Sequence, residues 1–243
     1  LKMCSESSFR CAADNLSFFL AENIRHTLLH EMVGKRGSEA ACAKQSLACD
    51  LFESGVIPAS EGRRAERLFM EADGCMISLQ RAGRRKHELK AGISYEGWEQ
   101  VGKDKWRLAE KRSFLSAAPA DDFLAAWSAD LATVYDYRGV SEAVWSSDGA
   151  SWLARGPDLF SVTVAQLDRF HLARALRRAL GSDPEASRLI SLAREGQGNL
   201  VIEAMEERLA RTLDPKRRKH MAEAISLLKG ASSRLADWSL TLK

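Results

Sequence analysis

Apolar positions along the first third of the chain recur every three or four residues. Leu16, Phe18, Phe19, Leu20, Ile24, Leu28, Leu29, Met32 and Val33 follow the spacing of one buried helical face, and this predicts helix from residue 5 to about residue 57. Gly34 and Gly37 read as the close of one helix, with Ala40 to Phe52 continuing as another. Beyond Pro58 and the charged stretch Glu61 to Arg67, the period changes. Leu68 to Leu79, Glu88 to Trp98 and Arg107 to Leu115 carry β-branched and aromatic residues in partial alternation. They predict a three-strand meander turning around Gly83 and Gly102. Helical spacing returns from Asp121 to Tyr137, with Asp121 as the expected N-cap, and a strand follows at Ala143 to Ser147. Ser161 to Leu167 reads as a short strand or a helix entry, and Asp168 to Leu180 as a basic amphipathic helix. Residues 184–229 are helical in pattern, broken at Gly196, Gly198 and Asp214-Pro215.

The order β-β-β-α-β followed by helices gives an α/β fold with a mixed sheet. Three regions are expected: helices over residues 1–60, a core over 66–182, and a helical region over 183–243. The scattered basic residues of the first region allow a helix-turn-helix that places one helix in a DNA groove, or a plain helical bundle. The six tryptophans, Trp98, Trp106, Trp127, Trp145, Trp152 and Trp238, are expected in the core or at domain contacts, because most fall within apolar runs.

Composition narrows the function only a little. The 243 residues are 45% hydrophobic, enough for a globular core, and the net charge of +3 does not by itself identify a polyanion partner. Local clusters say more: Arg81, Arg84, Arg85, Lys86 and Lys90; Lys103, Lys105, Arg107, Lys111 and Arg112; Arg174, Arg177 and Arg178; and Lys216 to Lys219. No run approaches the ~18 apolar residues that span a bilayer, and no signal-peptide pattern opens the chain. A cytoplasmic location without membrane association is expected. The five cysteines are odd in number, as suits reduced thiols; Cys4, Cys11, Cys42 and Cys49 form two equally spaced pairs, wider than usual zinc loops.

Two apolar runs end in Asp-Gly, at Asp73-Gly74 and Asp148-Gly149. Asp-Gly is a common turn dipeptide. It gains meaning if the strand carrying Asp148 lies parallel to the one carrying Asp73, because both carboxylates then reach one sheet edge. Paired carboxylates bind Mg²⁺ or Mn²⁺ through hard oxygen ligands and leave sites for water and phosphate oxygens. Asp168 and His171 lie one helical turn apart, and by spacing alone Asp168 reads as an N-cap.

Four stretches in register carry a family resemblance: Glu71-Ala72-Asp73-Gly74 with Ser78-Leu79-Gln80; Lys90 with Tyr95-Glu96-Gly97-Trp98; Ser147-Asp148-Gly149-Ala150-Ser151-Trp152; and Leu167-Asp168-Arg169-Phe170-His171. From Leu68 to about Leu180 the chain resembles the ISLre-type insertion-sequence transposases, which carry a ribonuclease-H-like core and an Asp-Asp-Glu triad. The resemblance implies an Mg²⁺- or Mn²⁺-dependent transposase, cleaving and joining DNA at insertion-sequence ends, with Asp73 and Asp148 as catalytic and metal-binding residues. Asp168 and His171 match an Asp-x2-His signature of related mutator-like transposases and would support them. Double-stranded DNA would be the partner, contacted by Arg84, Arg85, Lys86, Lys105, Arg174, Arg177 and Arg178, and the protein would assemble as a homo-oligomer on DNA. The helices after Gly181 would be an insertion ahead of the helix bearing the third acid.

No convincing third acid precedes Lys243. Glu203, Glu206, Glu207 and Glu223 read as solvent-facing helix carboxylates. A chain that begins at Leu1 and lacks the third acid is expected to be a fragment that binds metal poorly and cleaves DNA weakly or not at all. Two other readings stay open: a catalytically inert DNA-binding protein, and a junction-resolving nuclease on the same fold.

Overall fold

The computed structural model describes residues 2–78 and 86–242. The chain divides into two compact units, Leu1–Val56 and Ile57–Lys243.

The first unit is helical: α1 (Lys2–Glu6), α2 (Phe9–Leu20) and α3 (His26–Phe52). Ser8 caps α2 by accepting from the Cys11 amide at 3.2 Å, and Ala21 at φ 53° ends it. The expected break at Gly34 and Gly37 is absent. Both glycines lie inside α3, which runs 27 residues without interruption. A helical Gly costs only about 1 kcal/mol relative to Ala, too little to stop a helix whose neighbours favour it. Ala12, Ala13 and Leu29 form the small core, with Cys4, Phe9, Leu16 and Ile24 around it.

The second unit opens with β1 (Arg63–Ser78), β2 (Lys86–Tyr95), β3 (Gly97–Gly102), β4 (Lys105–Ala109) and β5 (Arg112–Ser116). After α4 (Ala120–Ala132) come β6 (Tyr135–Ser147), a 3-10 turn at Ser151–Leu153, α5 (Gly156–Leu159) and β7 (Val164–Leu167). The helices α6 (Arg169–Leu180), α7 (Pro184–Arg194), α8 (Gly198–Arg211), α9 (Pro215–Gly230) and α10 (Trp238–Thr241) complete the chain. The fold is α/β, with a five-stranded mixed sheet ordered β5-β2-β1-β6-β7. β2 is antiparallel to β1 and β5, whereas β1, β6 and β7 run parallel.

The meander differs from expectation. Arg107 to Leu115 is not one strand, because Glu110 adopts φ 52° and splits it. Its first part, β4, pairs with β3 in a separate hairpin turned at Gly102, Lys103 and Asp104, and only β5 joins the main sheet. The turn expected around Gly83 lies outside the described residues, as do Arg81, Arg84 and Arg85. Asp121 is not the N-cap of α4. Pro119 holds that position, and Asp121 sits in the first turn, where its carboxylate meets Arg155 at 2.9 Å. An acid there still favours the helix, through the macrodipole.

Strand pleating sorts the side chains onto two faces. On one face Leu68, Met70 and Trp145 are buried, as are Phe123 and Trp127 of α4 and Phe160. Trp127 and Trp145 stand 5.7 Å apart between ring centres, and Trp127 and Phe160 4.8 Å. The opposite face carries Phe69, Tyr95 and Val144, joined by Ile93, Leu108, Trp238 and Leu242. Helices α6 to α9 share a separate core with Leu167, in which Leu172, Leu176, Leu189, Met205 and Leu228 are buried. Trp127 and Trp145 are core residues as expected, but Trp98 and Trp106 are 48% and 61% exposed. Both lie on the β3–β4 hairpin, which is too thin to bury them. Among the described residues no helix is long and apolar enough to cross a membrane.

Candidate active site

The parallel register decides where the acids go. β1 and β6 pair from Arg67 with Glu142 through Ala72 with Ser147, so Asp73 and Asp148 occupy the next rung on neighbouring strands. β6 and β7 pair through Ser147 with Leu167, and the Asp168 amide continues the ladder by donating to the Ser147 carbonyl at 2.7 Å. Asp73, Asp148 and Asp168 therefore form a row across three adjacent parallel strands, on the face that also carries Phe69 and Val144. One step back along each strand, on the same face, lie Glu71, Ser146 and Gln166.

The two Asp-Gly pairs are not alike. Gly149 follows the end of β6 at φ 90°, the turn that the dipeptide suggests. Asp73-Gly74 is not a strand end, because β1 continues to Ser78, paired there with β2. What stops at this rung is the neighbour β6, leaving the edge of β1 open beside Asp73. At Gly74 an added Cβ would stand 2.6 Å from the Glu88 carboxylate oxygen, the end of a flexible side chain that would have to swing aside.

Asp73, Asp148, Asp168 and His171 line one cavity of about 300 Å³ with Glu71, Ser146 and Phe170. A neighbouring cavity of about 340 Å³ shares Glu71, Ser146 and Asp168 and reaches Tyr95, Trp98 and Trp238. Asp73 Oδ1 accepts from the Gly74 amide at 2.7 Å, and Asp148 Oδ1 from the Ala150 amide at 2.8 Å. Among the described residues neither carboxylate is ion-paired with a lysine or arginine. Their donor atoms are oxygens, side by side on an open cavity, and this set suits a hard divalent cation that keeps its waters. No group of three or more His, Cys, Asp or Glu side chains among the described residues forms a ready-made metal cage, and this includes the N-terminal cysteines.

Asp168 is the N-cap of α6, and it does more than the spacing suggests. Its Oδ1 accepts from both the His171 amide and the His171 ring Nδ1, each at 2.9 Å. The bond at Nδ1 fixes the ring and leaves Nε2 free of that carboxylate. Glu71 is held in turn by the Tyr95 hydroxyl, which donates to it at 2.6 Å. Burial first, and the Glu71 carboxylate second, push the Tyr95 hydroxyl far above its ordinary pKa and keep it a donor. At the far end of the face, Gln166 donates to Ser146 Oγ at 2.8 Å and accepts from the Trp238 amide at 3.1 Å. Arg169 pairs with Asp237, anchoring the C-terminal segment beside the cavity.

The basic residues divide. Lys86, Lys105, Arg174, Arg177 and Arg178 are exposed. The three arginines continue along α6 from Phe170, whose ring lies 6.0 Å from the Arg174 guanidinium. Lys90 does not belong with them: it is 5% exposed, donates to the Ala118 carbonyl at 3.1 Å and pairs with Glu88 at 2.9 Å. The four glutamates weighed as a third acid lie elsewhere. Glu206 pairs with Lys229, Glu207 with Arg211 and Glu223 with Arg178, and neither these nor Glu203 lines the acidic cavity.

Glu71 and Gln166 carry a signal that the sequence does contain. Each stands two positions before a row aspartate, the strand period that returns to the same face. Reading it requires the parallel register.

No curated protein matches the chain. A family model covers residues 3–243, and the chain belongs to the uncharacterised protein family UPF0236.

Proposed function

We propose that this protein is the catalytic core of a metal-dependent DNA transposase with a ribonuclease-H-like fold. The observation that carries the reading is the placement of Asp73 and Asp148 on one rung of adjacent parallel strands, open to a shared cavity. The sheet supports it. Three antiparallel strands, a helix and a parallel fourth strand beside the first follow the order expected of such a core.

Asp73 and Asp148 would hold Mg²⁺ or Mn²⁺, and the ion would polarise a phosphodiester and favour an attacking oxygen. Asp168 orients His171 toward the same cavity, where the imidazole can accept or return a proton at Nε2. Glu71, restrained by Tyr95, adds negative charge beneath the pair. The exposed arginines of α6 run from the cavity and suit successive backbone phosphates of double-stranded DNA. The N-terminal helices would add a second DNA contact, and a homo-oligomer would bring two DNA ends together. A third acid from outside the four glutamates above would complete the triad.

The test is an Mg²⁺-dependent nicking and strand-transfer assay with the full chain on DNA carrying element ends. Activity that disappears in Asp73→Ala and Asp148→Ala supports the reading. Activity that survives both substitutions contradicts it. Salt-sensitive DNA binding without nicking in the unsubstituted protein favours an inert DNA-binding protein instead.

A further inference from the structure

The β3–β4 hairpin has a face that the catalytic reading does not use. Trp98 pairs across the ribbon with Leu108, and Gln100 with Trp106, so these four side chains share one side. At the base, Trp98 packs on Phe69 and Tyr95 at 4.9 and 5.3 Å between ring centres, and Leu108 joins the same cluster. Those contacts tie the ribbon to the acid-bearing face of the main sheet. A two-stranded ribbon needs such an anchor, being marginal by itself.

Farther out the packing stops. Trp106 is 61% exposed and Val101 53%. Charge is distributed unevenly around them. Arg107 is neutralised by Glu99 at 2.5 Å on the other side of the ribbon. Lys103 and Lys105, at the turn, are exposed and have no carboxylate partner among the described residues. An exposed indole close to a turn that carries two exposed ammonium groups is poorly suited to an apolar protein groove. It suits a strand that offers flat π-faces and negative charge at regular intervals.

We propose that the β3–β4 hairpin binds unpaired nucleotides, with the Trp106 indole as a stacking platform and Lys103 and Lys105 as contacts to the adjoining phosphates. A single strand exposes base faces that a duplex hides, so Trp106 confers preference for unpaired over paired DNA. The continuity from Trp106 through Trp98 to the cavity of Glu71 and Asp168 places that strand next to the acids. The proposal deepens the transposase reading in where it places the strand, but the binding itself requires neither metal nor catalysis.

The experiment is fluorescence anisotropy with a labelled oligothymidylate and a blunt duplex of equal length, in EDTA, using the full chain. Trp106→Ala should weaken single-strand binding about 10-fold, within the range for loss of one base stack. Trp106→Phe should restore most of it, and duplex binding should change little. The Lys103→Ala, Lys105→Ala double variant should lower the magnitude of the log–log salt slope by about 1.4, for two single-strand phosphate contacts. Because Trp106 is exposed, circular dichroism should show the Ala variant folded. The proposal is overturned if the oligonucleotide does not bind, if Trp106→Ala leaves binding unchanged, or if single strand and duplex lose affinity equally. Nicking that depends on Asp73 but binding that ignores Trp106 would remove this proposal alone. Trp106-dependent binding together with nicking that survives Asp73→Ala and Asp148→Ala would remove the transposase reading alone.

Discussion

Asp73 and Asp148 stand on equivalent rungs of two parallel strands, immediately beyond the pair Ala72 and Ser147. Neighbouring strands lie about 4.8 Å apart, and the two side chains line one cavity. This relationship depends on the core beneath it as much as on the acids themselves.

Gly92 is one point where that core has no slack. A Cβ at this position would stand 2.8 Å from three atoms of the Trp127 indole, which is 1% exposed. Gly92→Ala should therefore destabilise the second unit by about 1–3 kcal/mol, the usual range for overpacking. Gly34 makes the comparison. It lies inside α3, where an added Cβ would have nothing within 4 Å, and Gly34→Ala should leave stability unchanged or raise it by about 0.5–1 kcal/mol. Urea denaturation of the two variants checks both signs.

Asp168 has two tasks that substitution can separate. Asp168→Ala removes the N-cap of α6 and should cost about 1 kcal/mol in urea denaturation. Asp168→Ser keeps a capping oxygen and should recover most of that stability. Neither variant retains the carboxylate that holds His171 Nδ1, so any nicking activity should fall in both.

Acid should expose a cluster at the start of the sheet. Glu96 accepts from Tyr135 at 2.9 Å and from Arg63, and the Arg63 bond is the main cause that holds its carboxyl below the ordinary range. A depressed folded pKa contributes stability above the unfolded pKa and loses it as pH falls through the folded one. Urea midpoints should therefore decline below about pH 4.5, and Glu96→Gln should flatten that part of the profile. At the other extreme, burial pushes the Tyr135 hydroxyl up to about 12. Its contribution should fade between the ordinary tyrosine range near 10 and that value, and Tyr135→Phe should remove this alkaline component.

Much of the fold was legible in the pattern, for local reasons. Asp168 as a cap, the stop at Asp214-Pro215, and the strand through Ala143, Val144 and Trp145 all rest on signals that neighbouring residues supply. The departures lie where a one-residue signal is too weak, or absent, to decide the local structure. Gly34 and Gly37 look like helix stops, yet α3 continues through both. Glu110 carries no turn signature, and its positive φ nevertheless diverts β4 into a separate hairpin.

The site followed the same division. Asp73 and Asp148 were visible as repeated Asp-Gly ends, but the first is an interior strand position whose exposure comes from the end of β6. Glu71, Tyr95 and Gln166 carry no local signal of a role, because their convergence depends on strand register. Trp106 departs from the pattern for the opposite reason: an apolar run does not reveal that its strand belongs to a ribbon open to solvent.

The most direct measurement is titration of Mn²⁺ into the full chain, with free Mn²⁺ followed by electron paramagnetic resonance. With two row carboxylates and no third acid, the unsubstituted protein should bind Mn²⁺ weakly but measurably, and Asp73→Asn and Asp148→Asn should each weaken binding by about 10-fold or more, whereas Glu203→Gln should not. Equal affinity in all four proteins, or no binding in any, would contradict a shared metal at the Asp73 and Asp148 rung.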